Sequence, residues 1–152
     1  MKNGKQNPIE ISFLNSEHET HEKVLRTAAH LKLKLSEQLK QFELDLSLYD
    51  ILRVIHSRSE KAINIKEIQS SLLHKMTNTS RLIRVLEDRN LIVRKPSEKD
   101  KRVVNVLLTE KGSFVMEELD DLTAQFYVNE FSRLNHDELD TLNVLLDRLL
   151  ED

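Results

Sequence analysis

TSRLIRVLEDRNLIVRKPSEKDKRVVNVLLTEKG, residues 79–112, carries three structural signals in succession. At 100° per residue, Thr79, Leu82, Ile83 and Leu86 fall within an arc of about 100°, the inward face of a short helix. Thr77, Ser80, Arg81, Arg84 and Asp88 project from the other side. A β-prone run follows at once, Leu91 to Lys95, and Pro96 closes it. The polar segment SEKDKR then leads into a second β-prone run, Val103 to Leu108. The tip is too long and too charged for a two-residue hairpin turn, so it predicts an extended loop.

Working back from Thr79, Leu73-His74-Lys75-Met76 is a tight connection after a helix of about eight residues, 66–73, with Ile68 and Leu72 inward. Asn64 and Glu67 have capping-box spacing at its start. Thr77 or Asn78 can cap the helix that follows. Two short helices joined so closely form a helix-turn-helix, and the basic hairpin behind it makes the unit a winged helix.

Long helices flank this unit. Val24, Ala28, Leu31, Leu35, Leu39 and Phe42 recur at three- and four-residue intervals and predict a helix over about 17–42. Ser47 is the expected cap of the next helix, whose inner face is Leu48, Ile51, Leu52 and Ile55. Thr109 starts a helix reaching about Phe131, with Val115, Leu119, Leu122 and Phe126 in line. Asn135 and Glu138 repeat the capping-box spacing before Leu139, Leu142, Leu145, Leu146 and Leu149. The expected fold is mainly α with a small β-hairpin wing. Residues 1–16 read as a flexible arm, 46–109 as the winged module, and 17–45 with 110–152 as a helical dimerisation region. The terminal stripes have no third layer to cover them. Val24, Leu31, Leu35, Leu122, Phe126, Leu142, Leu145 and Leu149 are therefore the expected interface with a second copy.

Net charge over the chain is −3, which alone argues against a nucleic-acid partner. The distribution reverses that. Residues 74–105 hold nine Lys/Arg against four Asp/Glu, a net +5, while the remainder carries −8. One basic segment in an acidic molecule fits a single face that meets phosphate. Without cysteine, disulfides, thiolate metal sites and thiol sensing are excluded. His18, His21 and Glu22 have ligand-like spacing but read as a solvated helix start, so no metal or cofactor is expected. Neither a carboxylate pair, a nucleophile–base set nor a Gly-rich phosphate loop can be read, so the chain is not expected to be an enzyme. The N-terminus lacks a signal peptide's apolar core and no run approaches a membrane span, so a cytoplasmic protein without membrane contact is expected.

The pattern TSRLIRVLE at 79–87, the strand NLIVRKP at 90–96 and the wing EKDKRVVNVLLTEKG at 98–112 resemble the MarR family of bacterial winged helix-turn-helix regulators. The order of elements agrees over nearly the whole chain after residue 15. Asn90 stands where the family usually has Gly, and Asn is the next-best residue for a left-handed helix end. The resemblance implies a homodimeric transcriptional regulator, here expected to act as a repressor, that binds a pseudo-palindromic duplex operator and is released by a small-molecule ligand. It gives Arg102 a minor-groove role, with Asp100 orienting its guanidinium and Lys99 and Lys101 along the phosphates. Thr77, Asn78, Ser80, Arg81 and Arg84 are the residues placed to meet base edges or phosphates. Bracing roles compete with these: Arg84 with Asp88 at i,i+4, and Arg102 within the hairpin. Arg89 and Arg94 read as surface or bracing residues. With 5% aromatic residues, an effector pocket is expected to be aliphatic. The competing function is a winged-helix protein–protein adaptor that no longer binds DNA.

Overall fold

Asn15 opens the first helix by accepting the His18 amide on its side-chain oxygen at 2.9 Å. In the computed structural model, which describes residues 12–58, 62–72, 78–97 and 100–151, α1 then runs Ser16–Leu39 and tightens into a 3₁₀ turn, Lys40–Phe42. Ser16, assigned to the arm by sequence, is already helical, and residues 1–11 lie outside the described region. The following helix, α2 (Leu46–His56), is capped by Asp45 rather than Ser47: Asp45 Oδ1 accepts the Leu48 amide at 2.8 Å. Both residue types cap well, and the one whose carboxylate reaches a free first-turn amide prevails.

β1 (Ile63–Asn64) leads directly into α3 (Ile65–Ser71), with both arms of the Asn64–Glu67 capping box formed. α4 (Thr79–Asp88) follows, then β2 (Ile92–Pro96) and β3 (Val104–Leu108). α5 (Glu110–Glu130) is capped by Thr109, and α6 (His136–Leu150) by the second capping box. The hairpin is part of a three-stranded antiparallel sheet ordered β1-β3-β2, in which Val106 faces both Ile63 and Arg94. Pro96 is the outermost pair of β2 rather than a stop beyond it. No helix among the described residues is long and apolar enough to cross a membrane.

One continuous core joins these elements. Ile51 and Leu52 of α2 lie at its centre, between Leu35 and Leu39 of α1, Ile68 of α3, Leu82, Ile83 and Leu86 of α4, Val106 of β3, and Met116, Leu119 and Phe126 of α5. The inward face expected for α4 is wholly buried. On α5 the buried line is Gly112, Met116, Leu119, Thr123 and Phe126, so Met116 and Thr123 take places the sequence stripe gave to Val115 and Leu122. Because α1 and α5 share this core, the dimerisation region and the winged module are not separately packed units.

α6 differs from every other long element. None of its residues is buried, and Val144, Leu145, Leu149 and Leu150 are 57%, 49%, 68% and 82% exposed. Leu142 is half-buried, as are Leu31 and Leu122, while Val24 is exposed. Leu35 and Phe126, which the stripe offered to a second copy, are covered by their own chain. Periodicity reports an apolar face without saying which surface covers it.

Candidate nucleic-acid interface

The basic segment folds into two exposed ridges, the outer face of α4 and the wing beyond it. On α4, Ser80, Arg81 and Arg84 are exposed opposite the buried Thr79, Leu82, Ile83 and Leu86. Asn78 occupies the cap position, yet its side chain makes no capping bond. That leaves the amide group at the positive end of the helix dipole beside Ser80. Thr77 and Lys99 lie outside the described residues.

The arginines of this segment divide into two sets. Arg89 and Arg94 are engaged internally. Arg89 donates to the Phe42 carbonyl at 2.9 Å and the Glu43 carbonyl at 2.6 Å, and pairs with the Glu43 carboxylate at 3.2 Å. Arg94, on β2, pairs with Glu87 of α4. That hydrogen bond holds the Glu87 carboxyl below the ordinary carboxylate range and raises the Arg94 guanidinium in turn. Arg81, Arg84 and Arg102 are exposed and, among the described residues, form no side-chain ion pair. In particular, Arg84 does not pair with Asp88. The set with bracing roles and the set facing solvent are thus distinct, as sequence indicated for Arg89 and Arg94.

The wing tip is shaped by Asp100 in a way the sequence did not disclose. Asp100 Oδ1 accepts the backbone N–H of Arg102 at 2.9 Å, and the Asp100 carbonyl accepts Val103 N–H at 2.9 Å. Ser97 N–H closes the neck on the Val103 carbonyl at 2.8 Å. This is a β-turn reinforced by an Asx contact. Asp100 therefore orients the backbone that carries Arg102; no contact with the Arg102 guanidinium is made, contrary to the expectation from resemblance. The turn leaves Lys101 and Arg102 fully presented at the tip.

Asn90 closes α4 in the left-handed region at φ 57°, with Leu91 N–H bonded back to the Leu86 carbonyl at 3.0 Å. The helix end that the family usually closes with Gly is preserved by Asn. Two openings of ligand size lie along the long helices. The α5–α6 groove, about 560 Å³, is lined by Tyr127, Val128, Phe131, Leu134 and Leu139 and is apolar, as expected for an effector pocket. The α1–α5 cleft, about 510 Å³, is polar instead: Gln38, Gln41, Gln125, Asn129 and Glu130 over Leu122 and Phe126.

A model of the MarR family matches residues 44–104. The transcriptional regulator PrsX of Escherichia coli is 27% identical over 135 residues, 88% of this chain and 81% of that protein. Among solved structures, a MarR variant from E. coli complexed with operator DNA superimposes with a TM-score of 0.80 at 22% identity, over 93% of this chain and all of that one. The organohalide-sensing regulator RdhR in its 2,4-dichlorophenol-bound form gives 0.80 at 17% identity, covering 98% of this chain and 88% of that one.

Proposed function

The chain belongs to the MarR family, and from that premise we propose that it is a DNA-binding transcriptional regulator that grips a pseudo-palindromic duplex operator as a homodimer. The observation that carries this reading is the division of the arginines. Arg81 and Arg84 face outward from a helix of major-groove dimensions, Arg102 stands at a wing tip, and none of the three is neutralised by its own chain. Thr77, Asn78 and Ser80 begin the same helix, where short hydrogen-bonding side chains meet base edges. Arg102 belongs in a narrow minor groove, with Lys99 and Lys101 along the phosphates.

Two copies are needed because one winged module covers too little DNA for tight specific binding. The uncovered stripe of α6, with Val24, Leu31, Leu122, Leu142, Leu145 and Leu149, is the surface for the second copy. A dimer seated across an operator excludes other proteins from the same grooves, so repression is the outcome we assign. Release follows when a small molecule alters the disposition of the two reading heads. RdhR carries such a ligand, and the polar α1–α5 cleft here lies outside the apolar stripe given to the second copy.

Selection of bound genomic DNA tests the reading: the recovered fragments should share an inverted repeat with half-sites about one helical turn apart. Recovery of unrelated fragments without a two-fold motif overturns it and favours a protein adaptor. On the selected duplex, Arg102→Ala should weaken binding about tenfold and lower the slope of log affinity against log salt by about 1. Unchanged affinity and slope would assign Arg102 to the hairpin alone. Arg81→Ala with Arg84→Ala should cost more, and should relax base preference at the half-site centres, read by competition with single-position variants of the duplex.

A further inference from the structure

We infer that Arg89 is a positioning residue of the reading helix: it bolts the C-terminal end of α4 to the C-terminal end of α1, without touching DNA. The inference deepens the DNA-binding reading and rests on it. Glu43 and Asn90 are the two non-glycine residues with positive φ among the described residues, at 55° and 57°. L-residues adopt that state at a cost and keep it only where the surroundings hold it. One closes α1 and its 3₁₀ turn; the other closes α4. In both places the amide after the left-handed residue bonds back five residues, Leu44 N–H to the Leu39 carbonyl and Leu91 N–H to the Leu86 carbonyl.

Arg89 joins these two helix ends. Its planar fork spans the adjacent carbonyls of Phe42 and Glu43, acceptors that a helix C-terminus leaves without intrahelical partners. The carboxylate of Glu43 closes the third side at 3.2 Å. On the opposite flank, Lys111 Nζ donates to the Arg89 carbonyl at 3.1 Å and Thr109 Oγ1 to the Asn90 carbonyl at 2.7 Å. The same helix end is therefore fixed to the start of α5 as well. At the other end of α4 no side-chain cap is formed. The helix is held like a lever clamped at its C-terminus. With ten residues at 1.5 Å each it is about 15 Å long, so a tilt of about 10° at the clamp moves its reading end by about 2.6 Å. That shift is comparable to a hydrogen-bond length and is felt by every base contact. In a dimer, the clamp also fixes the distance between the two reading ends.

Three variants, Arg89→Gln, Arg89→Lys and wild type, are titrated with the operator duplex recovered by genomic selection and with a duplex carrying one extra base pair between half-sites. Circular dichroism and sedimentation accompany each titration. Arg89→Gln is expected to bind the native duplex roughly tenfold more weakly, with an unchanged salt slope and a smaller penalty for the inserted base pair. Arg89→Lys keeps the charge but cannot fork across two carbonyls, so it should resemble Arg89→Gln in both affinity and spacing. A slope lowered by about 1 would make Arg89 a phosphate contact and overturn the inference. So would full rescue by Lys, or unchanged affinity and spacing. Should Arg89→Gln lose helix content, the milder Arg89→Lys decides by the same readouts. Wild type that binds no duplex at any salt fails the functional reading; wild type that binds equally with the Arg89 variants fails this inference alone.

Discussion

Leu145→Glu together with Leu149→Glu should convert the protein to a 17.8 kDa monomer in sedimentation and weaken operator binding by roughly 10²–10⁴-fold. The argument begins from α6, a 15-residue helix none of whose residues is buried. Leu145 and Leu149 lie one turn apart on its apolar stripe, 49% and 68% exposed. Each leucine that a second copy covers contributes about 1.5–3 kcal/mol, and each glutamate in its place puts a charge where none can be solvated. The variant should still fold, for two reasons. The core that joins α1 through α5 contains no α6 residue, and glutamate is as good a helix former as most. Loss of the dimer removes the second half-site contact, and with it the gain from linking two reading heads. A double variant that remains dimeric would place the interface elsewhere.

The second large effect concerns stability. Gly112→Ala should lower unfolding free energy by about 3 kcal/mol, read as a lower urea midpoint at unchanged slope. A Cβ at Gly112 would stand 1.9 Å from the Leu91 carbonyl oxygen and 2.9 Å from its carbon. Those atoms are backbone and have little freedom to retreat. Leu91 is tied to Leu86 on one side, and its carbonyl accepts the Thr109 amide at 3.0 Å on the other. Thr109 Oγ1 in turn accepts the Gly112 amide at 3.0 Å, so the first turn of α5 cannot swing away without losing its cap. Alanine's advantage within a helix, about 1 kcal/mol, offsets only part of this. The junction also carries the end of α4 and the return of the wing, so the same variant should bind DNA less well than its remaining folded fraction accounts for. A variant as stable as wild type would mean the close approach relaxes freely.

The parts of this fold that sequence disclosed are those governed by local chemistry. Thr79, Leu82, Ile83 and Leu86 are three and four residues apart and all buried. Both Asn–Glu capping boxes form, Thr109 caps α5, and Asn90 takes the left-handed state. Each depends on neighbours within one helical turn. What sequence did not disclose depends on distant partners. Arg89 reaches carbonyls 46 and 47 residues away, and no spacing rule connects Arg89 with Phe42. Leu35 and Leu31 lie on one stripe of α1, yet the first is covered by its own chain and the second only in part. Asp45 and Ser47 are both good caps, and only the geometry of the turn after Phe42 selects between them. The Asp100 contact was misassigned because a carboxylate two residues from an arginine suggests its guanidinium, whereas at that spacing the backbone amide is nearer.

The central claim is that Arg81, Arg84 and Arg102 are exposed because they meet nucleic-acid phosphates and base edges. Titration of the wild-type protein with its selected duplex between about 50 and 200 mM salt measures this most directly, since each phosphate neutralised contributes about −0.9 to the log–log slope. The account predicts a slope of about −5 or steeper for a dimer engaging two helices and two wings. A slope near zero, or affinity for the selected duplex no greater than for unrelated DNA, would contradict it.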